Sequence, residues 1–435
     1  MTAMLPLLAV TMFAQLPPPL AHALDAAREH NRALGISRAQ LDQQRAAVDQ
    51  ALAALLPTLR TGGGYTRNEY EAVVSLPANL LGGGPPTELK TLTLQPYNAW
   101  TASVGLQIPL FSAANLYRYQ ESKRGEQGAD QAVRATDAEV MLSTARAYYR
   151  VVGGQGVLEA AQRALVTAAD NLQVTRVKYG AGTQTRLALD RAQVDVARAE
   201  QTRVSAHQAL LLAVRSLETL TGEAWGSPLP APPDTTSTAR TEAELVEAAR
   251  RARPEIQQAE AAVAQAELAA GEAWSALVPG VSGNATEYFT NATGFTGQSA
   301  YWAAGLSLTW NVDPAGTRAA VARSRAALEE QRQRLKQVED TVRDDVHSAW
   351  LDVDSGAARV SQAKSEAESA TDALGLTQQQ YAAGTATSLD LSQAQRDAFN
   401  AEATFAQARA DLAASELALA KAAGETFWLS TGGSP

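Results

Sequence analysis

The sequence predicts a mainly α-helical chain with a β-barrel part, built as a tandem repeat in which each copy carries two β-strands and long coiled-coil helices. Three observations predict it. The chain matches itself at a fixed offset, short alternating segments precede the long helical stretches, and those stretches carry a heptad seam without proline.

The repeat comes first, because it sets the boundaries. Shifted by 202 residues, the chain aligns with itself without gaps from about Trp100 to Glu223. Trp100 falls on Trp302, Leu106 on Leu308 and Val140 on Val342. The densest stretch sets Tyr179-Gly180-Ala181-Gly182-Thr183-Gln184-Thr185 on Tyr381-Ala382-Ala383-Gly384-Thr385-Ala386-Thr387. Upstream, a shift of 222 applies, with Leu55-Leu56-Pro57 on Leu277-Val278-Pro279. The excess lies between Pro57 and Trp100 and reads as a longer loop in the first copy, with Leu76-Pro77 and Gly82-Gly83-Gly84-Pro85-Pro86. A proline-rich link from Pro228 to Pro233 separates the copies. The first copy spans 20–227, the linker 228–241, the second copy 242–426 and a tail 427–435.

Strands are expected near 58–70 and 99–110 in the first copy and near 280–289 and 301–311 in the second. Trp302, Ala304, Leu306, Leu308 and Trp310 alternate with Ala303, Gly305, Ser307 and Thr309. Trp100, Ala102, Val104, Leu106, Ile108 and Leu110 do the same. Period two puts one apolar and one small or polar face on each strand. Tryptophans at the ends of the apolar row (Trp100, Trp302, Trp310) suit a lipid-facing strand with interfacial girdles. The earlier strand of each pair alternates poorly and is inferred from pairing logic. Four strands cannot close a barrel, since roughly eight are needed. Copies must therefore associate to bury the sheet edges.

Helices are expected over 114–179, 186–220, 316–381 and 388–423. Each of the two longest would run about 100 Å at 1.5 Å per residue. Val321, Leu328, Leu335, Val342 and Ala349 recur seven apart, with Val338, Val346, Val353 and Val360 between them, as in a coiled-coil seam. Gly153-Gly154 and Gly356 are expected bending points.

Composition bounds the function. Net charge is −9, from 37 basic and 46 acidic residues, which disfavours a nucleic-acid partner. No cysteine is present, so disulfides, thiolate metal sites and thiol nucleophiles are excluded. His22, His30, His207 and His347 are scattered without metal-ligand spacing. The carboxylates sit on periodic polar faces rather than in a convergent set, so no catalytic, cofactor or metal residues are expected. Leu5 to Ala14 resembles the core of a signal peptide within residues 1–19, with cleavage expected between Ala14 and Pro19. No other segment reaches the roughly 18 apolar residues of a spanning helix, so any membrane crossing must be a closed barrel.

The tandem copy, the Tyr-x-x-Gly-Thr turns and Gly424 resemble the outer membrane efflux protein (TolC) family over nearly the whole chain. Leu20, Ala23, Leu24, Ala27, Asn31 and Leu34 fit the family's opening helix. The resemblance implies a homotrimer: one twelve-stranded barrel in outer-membrane lipid, continued by a helical tunnel across the periplasm. It implies a periplasmic adaptor and an inner-membrane pump of the RND, ABC or similar class as partners, in efflux or type I secretion. It places the turns at Tyr179, Gly182, Thr183, Tyr381, Gly384 and Thr385 at the periplasmic tip. The family's constriction carboxylate falls on Asp390 in the second copy, whereas the first has Ala188 there and Asp190 two residues later. A second acidic position is Gln393 here, and a locking basic residue is Ala386, for which Arg186 would substitute by pairing with Asp390. Competing readings are a periplasmic adaptor with a helical hairpin, against which the repeat and the girdled strands count, and a soluble coiled-coil scaffold, which detergent dependence would separate.

Overall fold

The computed structural model of the chain describes residues 16–77, 85, 87–226, 228–232 and 240–427. Most of the expected leader, the Gly82–Gly84 run, part of the linker and nearly all of the tail lie outside the described residues.

The chain begins with helices α1 (Pro18–His30) and α2 (Arg32–Ala53). Strands β1 (Thr58–Arg67), β2 (Ala72–Pro77), β3 (Leu89–Gln95) and β4 (Asn98–Phe111) follow, then helices α3 (Ala113–Gly180) and α4 (Arg186–Thr221). After the linker come α5 (Glu242–Ala252), α6 (Pro254–Ser275), β5 (Gly280–Thr290), β6 (Ala300–Thr309), α7 (Pro314–Ala383) and α8 (Ser388–Ala422). Two differences from the sequence expectation stand out. The excess of the first copy is not simply loop: β2 and β3 form an antiparallel hairpin, held by alternation of Val74, Leu76, Leu92 and Leu94 that the flanking glycines and prolines obscure. The first strand also stops at Arg67 rather than near residue 70, where the Asn68 amide turns to the Tyr97 carbonyl.

The chain folds into two compact units, and neither is a sequence repeat. One comprises 1–40, 130–258 and 335–435; the other comprises 41–129 and 259–334. Each draws on both copies, and α3 and α7 contribute to both.

The first unit is helical. Its larger core packs Leu20, Leu24 and Leu34 against Met141, Ala145, Tyr148 and Val151 of α3, Leu210 and Leu217 of α4, and Leu417 of α8. A second cluster joins Leu245, Ile256, Val342, Val346, Val353, Leu412 and Leu419. Burying each such side chain contributes about 1.5–3 kcal/mol. Val321, Val342, Val346, Ala349 and Val353 of the predicted seam are all buried. At the expected bending points α3 and α7 run on as α-helix. An added Cβ at Gly153 would sit 3.1 Å from the Ala410 Cβ, and one at Gly356 3.1 Å from a Leu412 methyl. These glycines allow close helix approach. Leu16 and Leu20 are buried in this core, so a leader ending as late as Pro19 would remove part of it. Charge is buried only with partners: Arg253 reaches Glu255 and Asp345 at 2.9 and 2.8 Å, which limits the desolvation penalty of its guanidinium.

The second unit is the sheet with the helix ends that enter and leave it. Strand order is β1-β4-β5-β6, every neighbouring pair antiparallel. The helix ends are tied by Arg118–Glu272 at 2.7 Å and Arg332–Glu267 at 3.1 Å.

Candidate functional site

Two surfaces are candidates for the functional site: the apolar face of the sheet and the turns that end the two longest helices. The registers fix which residues share a sheet face, because side chains alternate along each strand. Leu59 lies opposite Leu106, Leu106 opposite Ala285, and Ala285 opposite Ala304. Tyr65 lies opposite Trp100 on the same face, and Trp302 opposite Glu287. The other face pairs Gln107 with Asn284 and Ser282 with Ser307, whose hydroxyls meet at 2.8 Å. One face is therefore largely apolar and the other small and polar. The apolar face is uncovered: Trp100, Trp302 and Trp310 are 46, 74 and 58 % exposed, and Leu306 is 77 % exposed. Strands β1 and β6 have no further neighbour among the described residues. No helix among the described residues is long and apolar enough to cross a membrane.

The two turns share one backbone design. Gly182 and Gly384 have φ of +75° and +84°, a conformation that costs a residue with a Cβ about 1–2 kcal/mol. Thr183 then folds its amide and its hydroxyl onto the Lys178 carbonyl, both at 2.9 Å. Thr385 does the same to the Gln380 carbonyl, at 2.9 and 3.1 Å. The next helix opens on a threonine cap, Thr185 accepting from the Ala188 amide and Thr387 from the Asp390 amide, both at 3.2 Å.

The side chains diverge. Asp390 completes a capping box, accepting from the Thr387 amide at 2.9 Å and its hydroxyl at 2.7 Å. Those bonds hold its carboxyl below the ordinary 3.8. Arg186 bonds Asp190 one turn on, at 2.9 Å, and that bond raises the guanidinium pKa. Within the chain, then, the expected Arg186–Asp390 pair is not formed; each residue takes the partner that helix periodicity puts nearest. Tyr179 is 39 % exposed, whereas Tyr381 is 3 % exposed. The Tyr381 hydroxyl meets the Thr175 hydroxyl at 2.8 Å. Lys178 donates to the carbonyls of Tyr381 and Ala382 at 2.8 and 3.0 Å, with its ammonium 5.0 Å from the Tyr381 ring centre. A lysine beside the last carbonyls of a helix is favourable, since they are unpaired and carry partial negative charge. Lys178 and Thr175 were missed by sequence reasoning. The signal was faint: Lys178 aligns with Gln380, one more difference between the copies.

Beside Asp390 lies a cleft of about 660 Å³ between α7 and α8, lined by Glu366, Asp390, Gln393, Asp397 and Asn400. No group of three or more histidine, aspartate or glutamate side chains among the described residues is placed to hold a metal ion.

The sequence profile described as "Outer membrane efflux protein" matches residues 23–223 and again 245–425. The chain belongs to that family. As a family member it sits in the outer membrane. No curated protein matches the chain. Solved structures do, and they share its fold. The CmeC outer membrane channel of Campylobacter jejuni is 16 % identical, with a TM-score of 0.78 over 94 % of this chain and 86 % of that one. VceC, an outer membrane protein of Vibrio cholerae, is 19 % identical, with a TM-score of 0.76 over 94 % and 97 %. The open state of the MtrE outer membrane channel of Neisseria gonorrhoeae is 21 % identical, with a TM-score of 0.76 over 94 % and 90 %.

Proposed function

We propose that this efflux-family chain is the passive exit duct of a tripartite export system. Three copies pair β1 of one with β6 of the next, giving a twelve-stranded barrel and a tunnel of helices across the periplasm. The observation that carries this reading is the sheet itself: four strands, two unpaired edges and one apolar face uncovered. Four strands are too few to close, and an open edge in lipid leaves backbone groups unpaired. Because β1 and β6 run in opposite directions, edge pairing between copies keeps the antiparallel order throughout. The chain does no chemistry; an inner-membrane pump of the RND, ABC or similar class supplies the energy, and a periplasmic adaptor joins the two. The trimer is tested by sedimentation in detergent. A particle of three 45.9 kDa chains is expected, and a monomer soluble without detergent would refute the barrel.

The tips form the periplasmic constriction, with Asp190, Asp390 and Arg186 lining it. Three copies bring several carboxylates of one sign together, and such a ring favours cations. Planar-bilayer recordings test the assignment. Asp390→Ala and Arg186→Ala are expected to alter single-channel conductance or cation preference, and unchanged values for both would remove these residues from the gate.

A further inference from the structure

The start of α7 carries a charge pattern that neither tunnel nor barrel requires. From Pro314 to Leu328 it holds Arg318, Arg323 and Arg325 and no carboxylate. Acidic residues normally favour the first turns of a helix, where the backbone dipole is positive. Asp313 does so here, accepting from the Gly316 amide at 2.9 Å, and the three arginines follow from the second turn on. All three arginines are exposed, and none has a carboxylate partner among the described residues. Arg332, on the same stripe seven residues beyond Arg325, is neutralised by Glu267. The first copy differs in part: Arg318 aligns with Leu116 and Arg323 with Glu121, Arg118 is paired with Glu272, but Arg325 aligns with another cation, Lys123.

The position of these arginines suggests their partner. Trp310 continues the apolar row of β6, and its indole N–H donates to the Leu277 carbonyl at 3.2 Å. The Leu277 amide in turn donates to the Trp274 carbonyl at 3.1 Å. Arg325 lies over the Trp274 ring, 5.9 Å from its centre. Trp274, Leu277, Val278, Trp310 and Val312 are all exposed. One chain of contacts thus runs from the lower rim of the lipid-facing surface to Arg325. Arg318 is seven residues nearer the strand, about 10 Å along the helix. Aromatic rings at a membrane boundary with arginines just beyond them match the layering of a bilayer interface, where rings sit at headgroup depth and cations meet phosphates.

We propose that Arg318 and Arg325, seven residues apart on one face of α7, form with Trp274 a binding surface for anionic phospholipid headgroups of the periplasmic leaflet of the outer membrane. The proposal rests on the lipid-facing reading of the sheet. Each arginine near the bilayer adds roughly fivefold to the affinity for anionic lipid, screened by salt. A closed trimer would carry three such surfaces.

The test uses the full-length assembly purified in micelles doped with equal amounts of phosphatidylglycerol and phosphatidylcholine, with retained lipid counted after gel filtration. The wild type is expected to retain phosphatidylglycerol severalfold over phosphatidylcholine at 0.15 M salt. The preference should fall toward one at roughly 1 M salt and in the double variant Arg318→Gln, Arg325→Gln. Arg318→Gln alone should weaken it partly. No preference in the wild type would overturn the proposal, as would an unchanged preference in the double variant. So would a double variant that loses its assembly while the remaining chains keep their preference, because the arginines would then serve contacts between copies. Failure of the wild type to enter vesicles of pure phosphatidylcholine would instead sink the barrel reading, and so separates the two.

Discussion

The two hairpin turns repeat one motif and meet different surroundings. Both use a left-handed glycine, a threonine folded back on a carbonyl, and a threonine cap. Yet Tyr381 is buried and bonded to Thr175, while its counterpart Tyr179 is 39 % exposed. The second turn caps its helix with Asp390, whereas the first has Ala188 there and spends its carboxylate, Asp190, on Arg186. Lys178 of the first hairpin fastens the end of the second. The duplicated backbone is therefore held by a local code. The difference between the copies lies in what each turn does to its neighbour: the first supplies the clamp and the second receives it.

The largest test of that contrast is truncation of the tyrosines. Tyr381→Ala removes a buried ring and a hydrogen bond, and should cost about 3 kcal/mol of local stability. Tyr179→Ala should cost under about 1 kcal/mol. Hydrogen exchange of the turn amides reads both, and equal losses would abolish the distinction. Next come the glycines, where the copies should agree. An added Cβ meets nothing within 4 Å at Gly182 or Gly384, so the cost of alanine is conformational alone. Gly182→Ala and Gly384→Ala should each cost about 1–2 kcal/mol; a twofold difference in either direction would mean the turns are not equivalent. The smallest effect is acid sensitivity. Asp390 has a folded-state pKa below 3.8, so its contribution is complete above that value and is lost as pH falls through the lower one. On acidification below pH 3.8 the first turn of α8 should lose amide protection, while the first turn of α4, capped by Thr185 alone, keeps its own. Loss at both ends together would point to general unfolding instead.

Much of the fold was legible in the sequence because its signals are periodic. Period-two alternation assigned Trp100, Trp302 and Trp310 to one face, and the registers place their rows together. The seven-residue spacing assigned Val342, Val346 and Val353 to the packed side of α7. The β2–β3 hairpin was hidden because proline and glycine around it signal loop more strongly than two short strands signal sheet. The side-chain partners at the tips were harder. Arg186 and Asp390 looked complementary by charge, but complementarity in sequence does not measure distance, and nearer partners at i+4 and at the helix cap took both. Lys178 escaped because its acceptors are backbone carbonyls, which every residue carries.

The sequence by itself determined the four strands of the larger sheet, the four long helices, the glycine turns and the apolar rows of β4 and β6, since these follow from spacing along one chain. Tertiary structure decided what that spacing cannot encode: that the compact units cut across the two copies, that one tyrosine of a repeated pair is buried and the other is not, and that Arg325 meets Trp274 below the apolar face. The physical reason is that periodicity fixes the direction of a side chain relative to its own element, whereas burial and pairing depend on which other element lies in that direction.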